Sequence, residues 1–237
     1  MSRASNQAIE RYYFEQFRAH FPLPTGSVEY TDKPDVIVHG ARKLGVEIAN
    51  LYLVDGGDPS SEQAQRRVRD GVLQEAQAQY LAAGGRKIEL TISFDPTHPN
   101  MDAKALASAL ATAAKSIERS PAGQVSRTLF PHIPEVWFIY HNPVEYPDAV
   151  WRASQVYTVP NLSLSRVTAV AAVKQAKLHS YEPCDAFWLL LVVDFIDPAQ
   201  DQDIQWPDPD FRFSSPFERI ILYKPQFAEW SEVPINQ

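Results

Sequence analysis

Pro34-Asp35-Val36-Ile37-Val38, a turn at Gly40, then Leu44-Gly45-Val46-Glu47-Ile48-Ala49-Asn50-Leu51-Tyr52-Leu53 is the stretch on which the fold turns. Both runs are apolar and rich in β-branched residues, and a glycine turn separates them. They predict two antiparallel strands of a hairpin. Each run carries one acid: Asp35 opens the first, and Glu47 sits inside the second, with eleven residues between them. A carboxylate within an apolar strand either faces water by alternation or is buried and needs a partner. The alternation around Glu47 does not choose between the two. Carboxylates on adjacent strands of one hairpin can meet at a point and hold a hard divalent cation such as Mg²⁺ or Mn²⁺.

Outward from the hairpin, residues 8–21 predict a helix without Gly or Pro, stopped by Pro22 and Pro24. At about 100° per residue, Ile9, Tyr13, Phe14, Phe17 and Phe21 share one face. Glu10 lies in the middle of that face and Glu15 on the polar side. A glutamate among aromatics needs a partner. Glu10 is therefore a third acid for the hairpin pair, or else a core glutamate bonded to a backbone donor or an arginine. Beyond the hairpin, Ser60-Ser61 can cap a long helix ending near Gly84-Gly85, followed by a strand over 87–94 and an alanine-rich helix over 102–118. The second half adds a strand over 136–140 and a helix over 165–179. The apolar run 187–195 is long enough to be a strand covered on both faces, and a last strand spans 217–223. Helices alternate with strands and no flexible linker intervenes. The expectation is one α/β domain over 1–237, a central mixed sheet flanked by helices.

Composition narrows the class. The 237 residues are 45 % hydrophobic and 22 % charged, as in a globular chain. The longest apolar stretch, Phe187 to Val193, is too short to span a bilayer, so no membrane partner is expected. The N-terminus lacks the pattern of a secretory leader. The sole cysteine, Cys184, excludes an internal disulfide and a multi-cysteine zinc site, and fits a reducing, cytoplasmic setting. A net charge of −7 argues against wholesale attraction to nucleic acid but permits a local basic groove. Arg42-Lys43, Arg66-Arg67-Arg69 and Arg86-Lys87 flank the acid-bearing hairpin in sequence.

Helix, Pro-Asp, turn, Gly-Val-Glu-Ile-x, long helix and strand resembles the core of the PD-(D/E)xK nucleases, a restriction-endonuclease-like fold. The resemblance covers about residues 8–94, with 95–237 as an extended C-terminal half that looks like bacterial members more loosely. It implies that Asp35 and Glu47 bind Mg²⁺ or Mn²⁺, that the first helix supplies Glu10, and that the chain hydrolyses phosphodiester bonds in DNA. The family's lysine falls at Ala49, which cannot assist water activation. Two readings follow: an active nuclease, or a degenerate member of the fold that binds nucleic acid or protein.

Other residues are candidates by position. Lys174 lies centrally on the apolar face formed by Val167, Val170, Ala171 and Leu178. It either meets a carboxylate, replacing the lysine missing at Ala49, or snorkels to water. Gln65 and Arg69 share the inner face of the long helix and could reach a phosphate or serve core hydrogen bonding. His39 stands in the hairpin turn. Trp137, Tyr140, Trp151 and Tyr157 either stack on bases or fill the core.

Overall fold

A computed structural model describes residues 3–54, 57–154 and 159–236. In chain order the helices are α1 (Arg3–His20), α2 (Glu62–Ala82), α3 (Ala103–Ile117) and α4 (Leu164–Gln175). The strands are β1 (Gly26–Tyr30), β2 (Val36–Gly40), β3 (Lys43–Asn50), β4 (Glu89–Phe94), β5 (Gly123–Gln124), β6 (Val136–Asn142), β7 (Arg152–Ser154), β8 (Ala186–Val192), β9 (Phe213–Ser214), β10 (Arg219–Lys224), β11 (Glu229–Glu232) and β12 (Ile235–Asn236). Contacts gather the chain into two compact units: Met1–Leu53 with Val159–Gln237, and Val54–Thr158.

The first unit is built on a six-stranded mixed sheet in the order β1-β2-β3-β8-β10-β11. The strands from β1 to β3 run antiparallel, β3, β8 and β10 run parallel, and β11 turns back on β10. The expected α/β class, a central mixed sheet flanked by helices, is what the chain adopts. Side-chain alternation on β3 separates two cores. Leu44, Val46 and Ile48 join Tyr13, Phe14 and Phe17 of α1, with Trp188 and Leu190. Ala49 turns to the other face, where Leu189 and Leu191 pack with Val167 and Ala171 of α4. Burial on both sides explains why β8 reads as an unbroken apolar run and why the centre of β3 is apolar except at Glu47. Gly45 is fixed by contact: a Cβ there would stand 2.7 Å from the Phe187 ring and 2.9 Å from the Pro34 ring.

The second unit has a four-stranded sheet in the order β5-β6-β4-β7. Its core joins Val72, Ala76 and Tyr80 of α2, Leu106 and Leu110 of α3, and Ile92 and Ile139 of the sheet. Here the structure departs from the sequence expectation. The long helix and the strand after it, read as part of the motif-bearing core over 8–94, are α2 and β4 of this second unit. The strand paired with β3 is β8, and the helix packed behind it is α4. The burial pattern gives the reason. Glu89 and Thr91 leave β4 only partly covered, whereas Trp188 to Val192 of β8 are all buried, as a central strand requires.

Candidate functional site

The site forms where β2 and β3 meet the segment carrying α4. Val36 pairs with Val46 in the hairpin, so one further step in register sets Asp35 opposite Glu47. Glu47, an odd-numbered position of β3, points toward α4 and is 5 % exposed. Lys174 of α4 answers it: its Nζ donates to Glu47 Oε1 at 2.6 Å and to the Ile48 carbonyl at 3.3 Å. The Ile48 N–H donates to Asp35 Oδ2 at 2.6 Å. One residue of β3, Ile48, thus ties Asp35 through its N–H and Lys174 through its carbonyl. Of the two roles open to Lys174, the structure has the ion pair with a carboxylate.

Tyr181 was not legible as a site residue. Its buried hydroxyl donates to Glu47. Burial, then the Glu47 charge and that hydrogen bond, push the phenol well above its ordinary value, so it stays a donor. The loop holding Tyr181 is pinned to the hairpin. Glu182 N donates to the Lys33 carbonyl at 2.8 Å, and Asp185 N to the Lys43 carbonyl at 2.8 Å. A tyrosine in a short loop carries no periodic signal, and only these long-range bonds bring it to Glu47.

The acids repel one another. Burial first, then the Glu47 charge and the more weakly acting Glu10 charge, push the Asp35 carboxyl up to about 8 against the opposing Ile48 N–H and Lys174. Glu10, half-buried on α1, is also raised, first by burial, with Lys174 opposing and Glu47 and Asp32 adding to the shift. Glu10 is thus electrostatically coupled to the hairpin pair. The expected convergence of three acids into one cage is not found: among the described residues, no group of three or more His, Cys, Asp or Glu side chains could hold a metal ion. Magnesium needs less, since one or two carboxylates with waters and substrate phosphates suffice. The donor chemistry of Asp35 and Glu47 fits that description. A cavity of about 320 Å³ is lined by Glu10 and Asp35 together with Arg11, Tyr30 and Thr31.

The remaining candidates are engaged elsewhere. Gln65 and Arg69 belong to the second unit. The Gln65 amide donates to the Pro59 and Asn100 carbonyls at 2.8 and 3.2 Å and accepts from Asn100 N. Arg69 pairs with Glu62 and lies over the Phe94 ring. Both are buried, and buried polar groups take the partners nearest to them. His39 is exposed and bonds Glu29 at 2.7 Å. The basic clusters carry their own acids: Arg42 pairs with Glu218, Lys43 with Glu182 and Arg86 with Glu145. Trp151 is core, bonding the Ile88 carbonyl, whereas Trp137 and Tyr140 are exposed; Tyr157 lies outside the described residues. Cys184 is half-buried, its thiol raised by burial. Among the described residues no helix is long and apolar enough to cross a membrane. Compared with known proteins, the chain matches no family model, no curated protein and no solved structure.

Proposed function

We propose that the first unit is a metal-dependent nuclease of the PD-(D/E)xK kind, acting on DNA, in which Lys174 of α4 stands in for the lysine absent at Ala49. The observation that carries the reading is the 2.6 Å contact of Lys174 Nζ with Glu47 Oε1, at the strand position opposite Asp35. The order of elements supports it too: α1, the three strands β1 to β3, then α4 and the parallel strand β8. Asp35 and Glu47 would hold a Mg²⁺ or Mn²⁺ ion, with Glu10 adding negative charge from α1. When bound, such an ion supplies a Lewis acid that acidifies water and neutralises charge on a phosphodiester. Lys174 orients the Glu47 carboxylate and brings a fixed positive charge toward the scissile phosphate. Tyr181 holds Glu47 from its hydroxyl side. The Ile48 N–H keeps Asp35 turned toward Glu47.

Ala49 favours a second reading, a chain that keeps the metal and nucleic acid but no longer cleaves. Nicking of supercoiled plasmid in Mg²⁺ or Mn²⁺ separates the two. The nuclease reading expects nicking that disappears in Glu47→Ala and falls at least a hundredfold in Lys174→Ala, because each removes a group from the reacting centre. Calorimetry should give Mn²⁺ binding by the native protein and none by Asp35→Ala. Metal binding without nicking favours the degenerate reading. Absence of metal binding, or nicking indifferent to Glu47→Ala, defeats the nuclease proposal.

A further inference from the structure

The cavity beside the acids has a composition of its own. Arg11 follows Glu10 on α1, and its guanidinium carbon lies 4.5 Å from the centre of the Tyr30 ring, in cation–π contact. Tyr30 is itself held. Its hydroxyl donates to Glu15, and Phe14 packs edge-on at 6.1 Å. The guanidinium therefore has a defined place. Among the described residues Arg11 has no carboxylate partner within salt-bridge distance, although Arg18 on the same helix pairs with Glu15. A fixed, exposed guanidinium without a carboxylate partner among the described residues is suited to the geometry of a phosphate. Asp35 and Glu10 line the same cavity, and Gln7 and Thr31 add uncharged polar groups.

Size then limits the ligand. About 320 Å³ is at the small end of ligand cavities. It matches one nucleotide unit and is too small to enclose a base pair. A nucleotide that enters this cavity to bring its phosphodiester to half-buried Asp35 is unpaired there. We infer that the cavity at Gln7, Glu10, Arg11, Tyr30, Thr31 and Asp35 is a subsite for a single unpaired nucleotide, its phosphate taken by Arg11. The substrate is accordingly single-stranded or frayed nucleic acid. The choice of nucleic acid rests on the nuclease reading, while the subsite rests on the cavity and Arg11.

Fluorescence anisotropy with a short labelled oligothymidylate and a hairpin duplex of equal length tests this, with Ca²⁺ and with chelator. The expected result is binding of the single strand about tenfold tighter than the duplex. Arg11→Gln should weaken single-strand binding about tenfold and lower the slope of log affinity against log salt by about 0.7, the loss of one phosphate contact. Arg18→Gln, on the same helix, should change neither quantity. Arg11→Lys should restore the salt slope but not the full affinity, since it keeps the charge and loses the plane. Unaltered melting of Arg11→Gln excludes unfolding as the cause. Equal affinity for duplex, or no effect of Arg11→Gln, overturns the subsite even if metal-dependent nicking is observed. Arg11-dependent binding of the single strand without any nicking leaves the subsite standing and removes the nuclease reading.

Discussion

At the scale of the residue, Asp35 is the most informative group. A carboxyl raised from the ordinary range to about 8 binds its proton more tightly in the folded chain than in the unfolded one. By linkage its contribution to stability is complete below about pH 4 and is lost as pH rises through about 8. Asp35→Asn imitates the protonated form and still offers an oxygen to the Ile48 N–H. Its melting temperature should match that of the native protein near pH 4. Above that it should exceed the native value by a margin that grows to about pH 8 and then stays constant. Differential scanning fluorimetry across this range checks it, and a constant margin at every pH would refute the burial account. A divalent cation held as proposed would act oppositely, favouring ionised Asp35. Mn²⁺ should raise the melting temperature of the native protein and leave Asp35→Asn unmoved.

At the scale of the element, β3 is constrained from four directions. β2 and β8 pair with its edges, α1 covers one face and α4 packs behind the other. The close fit at Gly45, against Phe187 and Pro34, keeps the two strands and the start of β2 in contact. Gly45→Ala should displace these neighbours and destabilise the chain by about 1–3 kcal/mol, the usual cost of overpacking a filled core. Denaturant titration measures this, and an unchanged midpoint would contradict the contact distances. The substitution should also impair the site without touching it, since Glu47 follows two residues later on the same strand.

At the scale of the whole molecule, the crossover from β3 to β8 contains the entire second unit as well as α4. That unit has its own sheet and its own buried core. A chain segment of about a hundred residues with a closed core is of a size that folds independently. Residues 54–158 expressed alone should show a cooperative thermal transition by circular dichroism and slow amide exchange in α2 and β4. A non-cooperative melt would mean that the core needs the rest of the chain.

The sequence alone determined the elements and the placing of one acid on each side of the hairpin. The aromatic face of the first helix, the two β-branched runs around Gly40 and the apolar run at 187–193 each state their burial through local periodicity, and each forms the expected kind of element. Tertiary structure decided which elements belong together. The unbroken apolar run at 187–193 marks β8 as a strand covered on both faces and Glu89 and Thr91 mark β4 as only half covered, but neither pattern says which strand lies beside the hairpin, because pairing over long separations has no local signature. The same holds at the site. Asp35 and Glu47 could be matched by register, but Lys174 and Tyr181 reach Glu47 across more than a hundred residues of chain. A buried carboxylate demands partners, and only the packed fold specifies which side chains meet that demand.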